Sequence, residues 1–353
     1  MASAQRRVLF TMLDRLRALL APGRQPAASE QKLSHRLARI EKELRALADR
    51  QEELVSQLKQ LLTARDGITR VEEHVRDLSE QHEDVSRQLR RLRAGVDGLV
   101  RATYLQPETL PYPQRLIASG FRLHSQNSED GILLALFRQI GVVSRRFVEL
   151  GSGSSGGNAA MFAAEFGWTG LMVEGDPGKA GMAGRRFPQV QAVSAWITPE
   201  SVDNLLTEHG FTGEVDLLSV DVDGNDYWVW QAITACSARV VVLEYNSMFG
   251  PDRAVTIPYD PTFSRRDHRF CYFGASLTGL TKLSASKGYR LVAVDPTGVN
   301  AFFLRNDLAP EIPAADPRNA YRISDKYNDL IRRKDIDVYR WAADTGRQIV
   351  DVG

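Results

Sequence analysis

Phe147-Val148-Glu149-Leu150-Gly151-Ser152-Gly153-Ser154-Ser155-Gly156-Gly157-Asn158, followed by Ala159-Ala160-Met161-Phe162-Ala163-Ala164, is the run from which the rest of the chain can be read. A short apolar run reaches an acidic residue, small residues force a tight turn, and a helix-prone segment begins. That order reads as a buried strand entering a ligand-binding loop, the first half of a βαβ unit. Glycine is needed where the backbone turns with positive φ or touches a ligand, because a Cβ would fill that space. Gly151 and Gly153 are the two expected in that role.

The second strand of such a unit belongs about 25 residues on, at Gly170-Leu171-Met172-Val173-Glu174. Glu174 then stands at a strand end, where a carboxylate can accept hydrogen bonds from both hydroxyls of a ribose. Val190 to Val193 reads as a third strand, ahead of Ser194-Ala195-Trp196. Val215 to Val220 is a fourth, almost continuously apolar, as a parallel strand covered on both faces must be. Arg239 to Leu243 is a fifth. Open α/β sheets bind ligands outside the carboxyl ends of their strands, so Asp221, Asp223, Glu244 and Asn246 should share one rim with Glu149 and Glu174. A helix from Ser276 to Lys287 leads to Tyr289–Val294, and the turn Asp295-Pro296-Thr297-Gly298 leads to Val299–Leu304. Two strands joined that tightly run antiparallel, since a parallel crossover needs about a dozen residues or more.

Gly151, Gly153 and Gly156 by themselves also satisfy the G-x-G-x-x-G spacing of dinucleotide-binding folds. Glu149-x-Gly151-x-Gly153 taken with Asp221-Val222-Asp223-Gly224 resembles the signature of class I S-adenosylmethionine (SAM) methyltransferases, and among them the FkbM-related branch, over Ser125 to Asp307. The resemblance implies an α/β fold: a Rossmann-like methyltransferase sheet ending in an antiparallel hairpin, here preceded by a long α-helical coiled coil. It implies SAM as cofactor, held by Glu149, Gly151, Gly153, Glu174 and Asp221, with Ala195 and Trp196 lining the adenine pocket. In similar proteins the helix matching Ile132–Ile140 lies over the methionine end of SAM, which brings in Gln126 and Asp130. Ser128 reads as the N-cap of that helix.

The FkbM resemblance further implies O-methylation of a saccharide or similar small metabolite. A hydroxyl acceptor loses its proton as the new bond forms, and Asp221, Asp223, Glu244 and His268 are the candidate bases. Asp221 and Glu244 with Asn246 or Asn225 form an all-oxygen set suited to Mg²⁺, as in some sugar O-methyltransferases. His268 and its neighbouring arginines lie in an insertion, Ser247 to Gly274, expected to cover the acceptor; those arginines would favour an acidic or phosphorylated acceptor.

The 353 residues carry a formal charge of +1, which argues against a general nucleic-acid binder. Cys236 and Cys271 have neither disulfide-framework nor metal-ligand spacing, which points to a reducing cytoplasm. There is no transmembrane run, and residues 1–24 read as an amphipathic helix suited to a partner chain or to peripheral membrane contact. Residues 30–103 carry a heptad repeat with Leu37, Leu44, Leu58, Leu78, Val85 and Leu92 among its inward positions, slipping beside Asp66-Gly67. A single long helix of this kind cannot cover its own seam, so a homo-oligomer is expected. Prolines in 104–124 mark a linker, and 308–353 reads as a helical extension. Two further readings remain: a catalytically inactive coiled-coil scaffold, and an NAD-dependent oxidoreductase, which the terminal hairpin disfavours.

Overall fold

The computed structural model describes residues 28–63, 74–82, 84–86, 88, 89, 92, 96, 107–265, 271–324 and 337–353. The chain forms two compact units, Met1–Val96 and Asp97–Gly353. The amphipathic segment 1–24, the slip at Asp66-Gly67 and His268 lie outside the described residues.

In the first unit a helix spans Ala28–Thr63, and residues 74–82 are helical again. Heptad position Leu44 is 1% exposed, and Leu78 and Val85 are 6% exposed, all within a single chain. Gln81 lines a groove with Asp49, Arg50 and Glu53, so the two helical stretches face one another. Part of the apolar seam is therefore covered within the chain. Ile40, Leu47 and Leu54 on the same seam remain half-buried.

The second unit is built on a seven-stranded sheet in the order β3-β2-β1-β4-β5-β8-β7. Its strands are β1 (Arg146–Leu150), β2 (Thr169–Glu174), β3 (Gln191–Ser194), β4 (Gly213–Val220), β5 (Cys236–Glu244), β7 (Tyr289–Val294) and β8 (Asn300–Arg305). β1 to β5 run parallel, and β8 is antiparallel to both β5 and β7. This is the sheet with a terminal hairpin that the resemblance implies. Alternate residues feed opposite faces: Val148, Leu150, Leu218, Val220, Val241 and Leu243 enter one core, while Phe147, Leu217, Val240 and Val242 enter the other. That period of two, apolar on both sides, is what helices packed on both faces require.

Segments expected to lie outside this domain contribute to it. Within 104–124, the short helix Gln114–Ala118 places Leu116, 1% exposed, in the second core. From the C-terminal extension, β9 (Val350–Asp351) pairs with β6 (Val255–Thr256), and Val338 and Ala342 join Phe249, Phe263, Tyr272 and Phe273 in a third apolar cluster. Both cysteines are buried, and neither forms a disulfide. No helix among the described residues is long and apolar enough to cross a membrane.

Candidate cofactor and transfer site

The strand order reverses between β1 and β4, so their carboxyl ends diverge into a crevice at the switch point. Gly151 has φ +88°, and a Cβ there would come within 1.7 Å of the Asp221 carbonyl oxygen. Only glycine lets β1 pass this close to the chain leaving β4. Beneath the turn, Glu149 is fully buried and its Oε2 accepts from the Ala159 amide at 2.8 Å. Ser219, itself accepting from Asn158 Nδ2 at 3.1 Å, donates to the same carboxyl. Burial outweighs these bonds and pushes the Glu149 pKa up to about 7. Its Oε1 has no hydrogen-bond partner, and Glu149 borders the cavity.

Glu174, at the end of β2, accepts from the Gly153 amide at 2.9 Å through Oε2 and from the Asp176 amide at 3.0 Å through Oε1. Each carboxylate oxygen has two lone pairs, so both can still accept from a ligand. Gly153 has φ +56°, with nothing within 4 Å of where a Cβ would sit. Trp196 lies over Gly175 and donates from Nε1 to the Pro261 carbonyl at 2.8 Å. With Gly153, Glu174 and Ala195 it borders a cavity of about 880 Å³ that runs on to Asp221 and Glu244.

At that far end Asp221, Asp223 and Glu244 bring carboxylate oxygens within 4.8 Å of one another. Burial, then repulsion from Glu244, raises the Asp221 pKa well above the usual carboxylate range, and Asp221 and Glu244 are hydrogen-bonded to each other. Burial also raises Glu244, opposed by Arg265. Arg265 Nη1 lies 2.6 Å from Asp223 Oδ1 and 3.2 and 3.3 Å from the two oxygens of Glu244. Asp223 adopts φ +59°, unusual for a residue with a side chain, beside Gly224, whose α-carbon is covered by the Phe263 ring. Asp226 turns its carboxylate back to the Val222 and Gly224 amides at 2.8 and 3.0 Å, tying this loop down.

No protein-family model matches the chain, and no curated protein matches its sequence. Solved structures similar to it include a TehB-like SAM-dependent methyltransferase from Corynebacterium glutamicum, at 13% identity over 59% of this chain and 98% of that one, with a TM-score of 0.30. Another is an O-methyltransferase from Bacillus cereus in complex with SAH, at 14% identity over 62% and 89%, TM-score 0.32. A third is a SAM-dependent methyltransferase from Clostridium acetobutylicum, at 11% identity over 49% and 89%, TM-score 0.32.

Most residues singled out from the sequence converge on the cavity: Glu149, Gly151, Gly153, Glu174, Ala195, Trp196, Asp221, Asp223, Glu244 and Gln126 all line it. Two do not. Asp130 is fully buried and its Oδ2 accepts from the amides of Leu123, His124 and Ser125 at 2.6, 2.6 and 3.0 Å, which shapes the loop before its helix, while its Oδ1 has no hydrogen-bond partner. Asn246 donates from Nδ2 to the carbonyls of Cys271 and Phe273 and accepts from the Met248 amide, each at 2.9 Å. Both of its amide hydrogens hold the insertion, and Asp223 stands in the acidic cluster with Asp221 and Glu244. Ser128 is at the N-cap position but makes no capping bond. Arg265, one of the arginines of the insertion, is paired with Asp223 and Glu244.

Asn127, Asn300 and Phe263 also line the cavity and carried no signal in the sequence. Asn300 begins β8 opposite Glu244 and donates to the buried Glu129 at 2.7 Å, leaving its own Oδ1 without a partner. A polar residue at the start of an apolar strand is the one hint that was available.

Proposed function

We propose that the protein is a SAM-dependent methyltransferase of the FkbM-related branch, directed to a hydroxyl of a saccharide or similar small metabolite. The observation that carries the cofactor assignment is the pair formed by the Gly153 amide and Glu174, opening on a cavity walled by Trp196. The chain suits the cofactor in three ways. Gly153 leaves open the space a Cβ would take, and Glu174 keeps lone pairs for two ribose hydroxyls. Trp196 offers a flat face for a purine. The volume lies within the usual range of small-molecule sites, about 300–1,000 Å³.

When bound, SAM supplies an electrophilic methyl group. The protein's own contribution is alignment, since in-line displacement needs the acceptor oxygen held against the methyl carbon. Asp221 and Glu244 are positioned to take up the acceptor's proton, with Asp223 beside them; His268 remains a candidate on sequence grounds alone. Mg²⁺ would suit the oxygens of Asp221, Asp223 and Glu244 chemically, but Arg265 already engages Asp223 Oδ1 and both oxygens of Glu244.

The half-buried Ile40, Leu47 and Leu54 support assembly of copies through the heptad segment, and the lack of a disulfide between the two cysteines supports a cytoplasmic setting. Calorimetric titration with S-adenosylhomocysteine (SAH) and, separately, with NAD tests the reading. SAH should bind and NAD should not; binding of NAD alone would move the protein to the oxidoreductases, and binding of neither to the scaffold class.

A further inference from the structure

The acidic cluster at the transfer end of the cavity contains a cation supplied by the chain. Arg265 arrives from the insertion, 42 positions from Asp223 and 21 from Glu244, and its side chain is only 21% exposed. Glu244 offers both oxygens to the same Nη1, and Asp223 offers a third. A Mg²⁺ or Mn²⁺ bound by this cluster would need those oxygens at about 2.0–2.2 Å. Ion and guanidinium nitrogen cannot hold that position together.

Arg265 is also held from behind. Its guanidinium carbon lies 3.7 Å from the centroid of the Phe273 ring, which is 1% exposed. Stacking of a guanidinium on an aromatic face is attractive and fixes the plane of the group. Phe273 belongs to the third apolar cluster, which the C-terminal residues close from outside: Tyr272 Oη donates to the Gln348 carbonyl at 2.6 Å, and Tyr339 Oη to the Phe249 carbonyl at 2.8 Å.

We propose that Arg265 is the resident cation of this cluster, standing in the place a divalent ion would take, so that the site is complete without a metal. Arg265 is a positioning residue that acts through Asp223 and Glu244. Its service to methyl transfer, a fixed positive charge where a metal-dependent enzyme has its ion, rests on the methyltransferase reading. Its occupancy of the cluster does not.

The test is Mn²⁺ binding to the full chain, followed by the loss of the free-ion paramagnetic resonance signal, with no cofactor or acceptor added. Wild type should leave Mn²⁺ free at concentrations where Arg265→Ala and the bulkier Arg265→Gln each bind one ion, an affinity gain on the order of tenfold or more. Arg265→Lys should restore the wild-type behaviour, and Arg265→Ala combined with Glu244→Gln should lose the gain. A gain of binding is not something a merely loosened structure provides. Wild type binding Mn²⁺ as tightly as Arg265→Ala would overturn the proposal, as would the absence of any gain in both folded variants. SAH titrations on the same samples keep the two claims apart: failure of SAH to bind would sink the methyltransferase reading and leave the Mn²⁺ result standing.

Discussion

The amide of Gly153 donates to Glu174 Oε2 at 2.9 Å, joining the turn after β1 to the end of β2 across 21 positions of sequence. The bond holds the carboxylate at the cavity edge with lone pairs to spare, and it sets the first prediction. Glu174→Ala should weaken SAH binding by about 10- to 100-fold, the loss expected for hydrogen bonds to a charged group, with the unfolding midpoint little changed. Calorimetry with SAH decides it; an unaltered affinity would place the ribose elsewhere.

Gly151 and Gly153 should respond differently to the same methyl group. At Gly151 a Cβ meets the Asp221 backbone at 1.7 Å, so Gly151→Ala should cost about 3 kcal/mol or more or prevent folding. At Gly153 the space is open, and Gly153→Ala should cost only about 1 kcal/mol of left-handed strain while lowering SAH affinity, because the methyl group enters the cavity. Thermal unfolding and SAH titration of both variants separate the two effects.

Glu149 makes stability depend on pH. Its folded pKa of about 7 lies above the ordinary 4.5, so between those values the folded state holds a proton that the unfolded state has released. The contribution is fully present below about pH 4.5, declines as pH rises, and is gone above about pH 7, with an upper bound on the order of 3 kcal/mol. Asp226, raised to about 7 by burial, acts in the same direction. Glu149→Gln should therefore flatten part of the fall in unfolding midpoint between pH 5 and pH 8. A wild-type midpoint that rose over this range would contradict the assignment.

Arg239 tests the opposite end of the sheet. Its Nη1 donates to the buried Asp216 at 3.1 Å, and that carboxylate also accepts from the amides of Val143, Ser144 and Arg145 at 3.1, 2.7 and 2.7 Å. Arg239→Met leaves a buried charge without its counter-ion and should cost about 3–5 kcal/mol. Asp216 lies about 16 Å along the chain from Asp221 at strand spacing, so SAH affinity at a temperature where the variant is folded should match wild type. A lower affinity in the folded variant would contradict this separation.

Separating residues 107–353 from the heptad segment should yield a monomer that binds SAH as the full chain does. Sedimentation of the two species checks the proposed division. A fragment that stayed oligomeric would move the assembly surface into the sheet domain.

The central strands β1, β2, β4 and β5 were legible because each is a short, largely apolar run that stops at a turn or an acidic residue, whereas the edge strand β3 is exposed at both ends. The terminal hairpin was legible from Asp295-Pro296-Thr297-Gly298, too short for a crossover. Asp130 and Asn246 lie off the cavity for a common reason. A polar side chain near a strand end or helix start reads the same in sequence whether it faces a ligand or satisfies nearby backbone, and backbone took both. Arg265 shows the converse: the sequence displays its charge but not the carboxylates it pairs with.

Local chemistry alone fixed the strand–turn–helix at Gly151, the acidic residue ending β2 and the antiparallel return, since backbone sterics and apolar periodicity act over a few residues. Only the folded chain decided which carboxylates stand within 4.8 Å of each other, and that the cation among them comes from the insertion. It also decided that the C-terminal residues brace that insertion from outside. Those outcomes depend on contacts between segments tens of residues apart, whose proximity follows from how the sheet is wound and from no property of either segment alone.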